Sequence, residues 1–154
     1  MNRNAIMMMG VILSLAACRT EAPEHPDPGQ LEWTAFIHPT LNYRLEYPTI
    51  YTVQQDGEDV YFRNEGHPSL VIHYGSRQKA DKHGLWADHE PEETVRFASR
   101  EWDAYDYNHR DAFFQMRTIS FVTPYRDGYL SLDIRTDADL DEVHQKIIYS
   151  FTFQ

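Results

Sequence analysis

A period of two constrains this chain more than any other feature. Tyr43, Leu45 and Tyr47 alternate with Arg44 and Glu46. Val60 and Phe62 share one side of a run at 59–63, Leu70, Ile72 and Tyr74 share another, and Leu130, Leu132 and Ile134 alternate with Ser131, Asp133 and Arg135. Side chains on a strand point to opposite faces in turn, so each run reads as a half-buried strand. Turn formers separate the runs: Pro48, Asp56-Gly57, Gly66-His67-Pro68 and residues 124–128. The pattern predicts a meander of short antiparallel strands. Residues 33–37 open it, residues 100–107 read as a strand followed by a turn at 108–111, and residues 112–122 form a long strand rich in Phe, Ile, Thr and Val.

Two segments depart from this rhythm. Residues 76–82 are polar without a pattern, and Pro91 with Glu92 and Glu93 suits the first turn of a helix. Residues 94–99 fit helix and strand equally. Near the end, Leu140, Val143, His144, Ile147, Ile148 and Phe151 fall on one helical stripe with His144 at its margin. Asp139 with Glu142 three residues on resembles a capping pair, and residues 150–153 leave the helix for the sheet. The fold class expected is α+β: an antiparallel sheet of about six to seven strands with a C-terminal helix packed on one face.

The N-terminus has its own logic. Arg3 precedes an apolar run at 6–15, broken only by Gly10 and Ser14, which ends in Leu15-Ala16-Ala17-Cys18. The run falls short of the roughly 20 apolar residues that span a bilayer. It looks like a bacterial lipoprotein signal, and Cys18 is the chain's only cysteine. The resemblance implies a diacylglyceryl thioether and an acylated amine on Cys18, and so a lipid bilayer as partner. Arg19 rather than Asp follows, which by the same analogy favours the outer membrane with the body facing the periplasm. The domain expectation is a signal at 1–17, the lipidated cysteine and a Pro-rich tether at 18–32, and one globular domain at 33–154. Extended at about 3.3 Å per residue, the tether reaches roughly 45 Å. The formal net charge of −10 disfavours nucleic acid, whose phosphates are met by Lys and Arg.

Three pieces of the body together resemble the PsbP-like family, which includes photosystem II extrinsic subunits. They are Tyr43-Arg44-Leu45-Glu46-Tyr47-Pro48, Asp127-Gly128-Tyr129-Leu130-Ser131-Leu132, and Ile147-Ile148-Tyr149-Ser150-Phe151-Thr152-Phe153. The resemblance implies an antiparallel sheet sandwiched between helices. It carries packing motifs and no catalytic residues. The chain departs from the family in its middle, where no second long helix is legible.

Candidate chemistry concentrates in one loop. His83, Asp88, His89 and Glu90 are donors that could hold a divalent metal, although their spacing matches no rigid signature. Leu85 and Trp86 lie between them as a partner-facing anchor or a lid folded onto the core. His73 reads as a structural histidine within a strand. Trp102, Tyr105 and Tyr107 could line a groove. A Gly-x-Ser-x-Gly elbow and a phosphate-binding glycine loop are both missing from the sequence. The favoured reading is therefore a non-enzymatic, membrane-tethered envelope lipoprotein that binds or scaffolds another envelope protein and needs no cofactor. The alternative is a metal-binding envelope protein using the 83–90 loop. Replacing Cys18 with Ala is expected to give an unacylated, unprocessed precursor, read by mass spectrometry and membrane fractionation; unchanged processing would refute the lipidation reading.

Overall fold

The computed structural model describes residues 27–65, 67–110, 115–136 and 140–154. The leader, Cys18, most of the Pro-rich segment and Asp139 lie outside these residues. In chain order the elements are β1 (Trp33–Ile37), β2 (Tyr43–Pro48), β3 (Thr52–Asp56), β4 (Asp59–Asn64), β5 (His67–Gly75), α1 (Arg77–Ala80), β6 (Glu93–Phe97), β7 (Arg100–Arg110), β8 (Gln115–Tyr125), β9 (Gly128–Thr136), α2 (Glu142–Ser150) and β10 (Thr152–Phe153). Among the described residues, no helix is long and apolar enough to cross a membrane.

The expected α+β class holds, with an antiparallel seven-stranded sheet in the order β3-β4-β5-β9-β8-β7-β6. The first two strands do not join that meander. They form a separate three-stranded sheet, β1-β2-β10, in which Thr152 pairs with Arg44 and Phe153 with Tyr43. Aromatic stacking decides this. Tyr43 lies on Phe151 at 5.0 Å between ring centroids, and Phe151 meets Trp102 edge-on at 5.7 Å. The Glu46 N–H donates to Ser150 Oγ at 2.8 Å where β2 passes the end of α2.

The central strands are buried on both faces. On one, Leu70, Ile72, Leu130, Leu132, Ile134, Phe121 and Trp102 pack against the small sheet and against Val143, Ile147 and Ile148 of α2. On the other, Tyr105 and Val122 pack under Ala80, Leu85 and Trp86. A second covering layer therefore exists, although it is one short helix and a folded loop. Pro28 and Leu31 already touch the body, through the Trp33 Nε1–H bond to the Pro28 carbonyl at 3.0 Å and through Leu31 on the core.

Several boundaries differ from the sequence reading. Residues 76–82 are not patternless: Ser76 caps α1 by accepting the Lys79 N–H, and Ala80 is buried. Glu92 and Glu93 open no helix. Glu93 starts β6, because Val95 and Phe97 alternate and Phe97 stacks on Trp102 at 4.4 Å. Residues 108–110 continue β7 rather than turning, with Asn108 opposite Arg117 and Arg110 opposite Gln115. Pro68 lies inside β5 opposite Arg63, where a register shift between Phe62 and Arg63 accommodates a residue without an N–H. The cap of α2 is Asp141, whose Oδ1 accepts the His144 N–H at 2.8 Å. His144 sits within the buried stripe rather than at its margin, at 6% exposure.

The β6–β7 hairpin turns on Ala98 and Ser99, with φ of 50° and 59°. Two successive left-handed residues make a turn that favours Asn-Gly and penalises a Cβ. Ser99→Gly is expected to stabilise the protein by about 0.5–1 kcal/mol, read as a rise in the chemical denaturation midpoint at unchanged slope; a fall would show that the serine makes a compensating contact.

Candidate functional site

The loop from 81 to 92 is ordered by one carboxylate. Asp81 Oδ1 accepts the Leu85 N–H at 2.6 Å, and Oδ2 accepts those of Trp86 and Ala87 at 3.1 and 2.7 Å. Arg77 completes the clasp by donating to the Ala87 carbonyl at 2.7 Å while its guanidinium lies over the rings of Trp86 and Tyr129. Trp86 is wholly buried and Leu85 is buried. Of the two sequence readings of this pair, the geometry carries the lid; a partner-facing Trp86 requires exposure that the indole does not have.

The loop does not assemble its metal donors. Asp88, His89 and Glu90 are exposed, while His83 points elsewhere and accepts from Arg135 Nη2 at 3.0 Å. A guanidinium can only donate, so the lone pair of His83 Nε2 is engaged. Burial and the neighbouring Arg135 both push the His83 pKa down. Among the described residues, no group of three or more His, Cys, Asp or Glu could hold a metal ion.

Beneath the lid lies a polar cluster that sequence reading noticed only through His73. The His73 ring, 1% exposed, has Asp59 Oδ1 3.4 Å from Nδ1 and Asp133 Oδ2 3.8 Å from Nε2. Neither nitrogen completes a hydrogen bond, so the imidazole is held by packing rather than satisfied. Ser131 donates to Asp133 at 2.5 Å. Lys82 reaches down from the lid to pair with Asp59. Burial pushes Asp59 up, but the close approach of His73 and the paired Lys82 ammonium outweigh it and hold its pKa at about 2. Burial dominates at Asp133 and raises it. No serine reaches the imidazole, so the cluster lacks a nucleophile paired with its base.

A second trio, missed in the sequence, has the distances of a relay. His144 Nε2 is 2.8 Å from Ser69 Oγ, and its Nδ1 is 2.8 Å from Asp141 Oδ1. The alignment is wrong, for Nδ1 completes no hydrogen bond, and the same oxygen caps α2. Tyr51 covers the Ser69 hydroxyl at 3.4 Å. The trio pins α2 onto β5.

An open surface appears where the helix runs out. At nine residues, α2 is about 13 Å long, whereas the eleven-residue strands β7 and β8 extend about 37 Å. Beside the start of α2 lies a groove of about 320 Å³, floored by Ala104, Ile119, Phe121 and Leu140 and rimmed by Glu92, Glu93, Arg117 and Gln145. A second hollow of about 170 Å³, lined by Leu85, His89, Glu90 and Tyr107, shares Glu92, Tyr105 and Asp106 with the first. Leu85, His89 and Glu90 thus meet Tyr105 and Tyr107 at one surface, while Trp102 is core. The acidic rim was hidden because Glu92 and Glu93 read as helix-start charges.

Comparison with solved structures places this architecture. The solution structure of cyanobacterial PsbP from Synechocystis covers 86% of this chain and 100% of its own, with a TM-score of 0.55 at 12% identity. A crystal structure from Bacteroides thetaiotaomicron covers 78% of this chain, with a TM-score of 0.56 at 13% identity, and the chain spans 48% of that protein's length. The fold is PsbP-like. No family model and no curated protein matches the chain.

The polar cluster makes stability depend on acid. The folded pKa of Asp59, about 2, lies below the ordinary 3.8, so its stabilisation is present above pH 3.8 and is lost as pH falls through 2. Asp59→Asn is expected to cost about 2 kcal/mol at pH 7, from a shift of nearly two pH units. It should also flatten the acid limb of the stability curve between those pH values. An unchanged acid limb in urea titrations would remove the carboxylate from this role.

Proposed function

We propose that this chain is a non-enzymatic binding or scaffolding domain of the cell envelope, held at the periplasmic face of the outer membrane by acylated Cys18. The groove beside the start of α2 is where it takes hold of another envelope component. The observation that carries this reading is the pairing of an apolar floor with an open, charged rim. Binding sites combine those two properties, the floor supplying affinity and the rim orientation. The Leu15-Ala16-Ala17-Cys18 pattern supports the tether. Ser131 is bonded to Asp133 and Ser69 to His144, which leaves neither hydroxyl free as a nucleophile and supports a role without catalysis.

The experiment places a photo-cross-linking residue at Gln145, in the groove, or at Tyr149, which is 74% exposed on the outer side of α2. In native membranes, capture of one defined partner from position 145 and none from 149 is the expected result. Equal capture from both positions, or none from 145 and from Tyr107, would refute the groove as the contact surface.

A further inference from the structure

We propose that the groove takes a basic segment of a partner protein. An aliphatic or aromatic side chain would sit on the apolar floor, with lysine or arginine flanking it. This assignment rests on the binding reading above and adds the chemistry of the occupant.

Charge is the first argument. Four carboxylates, Glu90, Glu92, Glu93 and Asp106, surround the joined hollows against one guanidinium, Arg117. That guanidinium is engaged: Arg117 Nε donates to both oxygens of Asp106, at 2.8 and 2.9 Å, and Nη2 adds a third bond. Glu90, Glu92 and Glu93 are exposed, and among the described residues none of them holds an ion pair. The described lysines are occupied elsewhere: Lys79 with Glu58, Lys82 with Asp59, and Lys146 over the Trp33 ring at 4.0 Å. Two uncompensated negative charges, Glu92 and Glu93, thus rim the apolar floor, and a third, Glu90, lines the adjoining hollow. An acidic ligand is repelled there, and a basic one gains both rate and specificity from the complementary potential.

Shape is the second argument, and it selects a chain over a small cation. The two hollows lie on opposite faces of the sheet and meet around its edge at Glu92, Tyr105 and Asp106, which makes the surface one that wraps an edge rather than a single pit. It runs past the start of β6, the terminal strand of the large sheet, whose outer backbone groups pair with no other strand among the described residues. An extended peptide can add main-chain hydrogen bonds along such an edge, which a polyamine cannot. The floor residues Ile119, Phe121 and Leu140 offer nothing to a polyamine and a seat to an apolar side chain.

The test titrates the full chain in detergent micelles with three probes followed by amide NMR shifts. They are a hexapeptide with a Leu-Phe pair between lysines, the same peptide with glutamates in place of lysines, and spermidine. Binding of the lysine peptide alone is expected, with shifts at Tyr105, Phe121 and Leu140 and affinity that falls as salt screens the rim. The double variant Glu92→Lys, Glu93→Lys alters two exposed side chains and should weaken that binding at least about tenfold, at an unchanged thermal midpoint. Equal binding of the glutamate peptide or of spermidine, or full affinity in the double variant, would overturn the assignment. Partner capture from Gln145 without affinity for the lysine peptide would overturn the basic occupant and leave the binding reading standing. Failure of both would remove the two together.

Discussion

A sheet whose central strands are apolar on both faces has to be covered twice, and this requirement shapes everything else in the molecule. Cys18 is the chain's only cysteine, so no intramolecular disulfide can relieve it. One face is met by α2 and the small sheet, whose aromatic side chains Tyr43, Phe151 and Phe153 pack on Trp102 and its neighbours. The other has no long helix to cover it. It depends on Asp81, whose carboxylate gathers three backbone N–H groups and turns a polar loop into a lid with Trp86 underneath. Substituting that one acid removes three acceptor contacts and leaves the buried N–H groups without partners, the costly case for a polar backbone.

The covering is unequal, and the groove follows from that. The helix starts at Glu142 and is shorter than the strands it crosses, so the mid-strand residues Ala104, Ile119 and Phe121, themselves buried, line a groove beside its start. On the opposite face the lid ends near Glu90, leaving Tyr107 at 41% exposure beside it. Two coverings on opposite faces leave two hollows that meet around the edge of the sheet at Glu92, Tyr105 and Asp106. Their acidity is what a chain of net charge −10 would be expected to show wherever its cations are drawn off to internal pairs.

Much of this was legible in the sequence where one physical rule acted alone. Leu130, Leu132 and Ile134 alternate because β9 is central, and the α2 stripe from Val143 to Phe151 reads directly as a buried helix face. Legibility failed where tertiary partners decided. Glu92 and Glu93 carry helix-start chemistry, yet the stacking of Phe97 on Trp102 makes the segment a strand. Nothing local tells Tyr43 that it belongs with Phe153, 110 positions later, rather than with the neighbouring meander. The candidate surface was half visible, through Tyr105, Tyr107, Leu85, His89 and Glu90. Its floor residues Ala104, Ile119 and Phe121 looked like ordinary core and are buried, and only the position of the start of α2 makes them line a groove.

The polar groups of the sheet also carry positional information. Ser120 stands opposite Asp133, and His73 opposite Ser131, on three adjacent strands. If β8 slid by one residue, Phe121 would leave the aromatic side of the sheet altogether, and the hydrophobic effect forbids it. Sliding by two keeps every residue on its proper face and passes that filter. It would, however, set Val122 or, in the other direction, Thr118 opposite Asp133 and move Ser120 away from it. Apolar packing therefore settles which side each strand presents, and polar contacts between β8 and β7, Arg117 with Asp106 and Thr123 with the Glu101 carbonyl, favour one rung over the next. A sheet held only by Leu, Ile and Val would be free to choose among sliding alignments that these contacts discriminate.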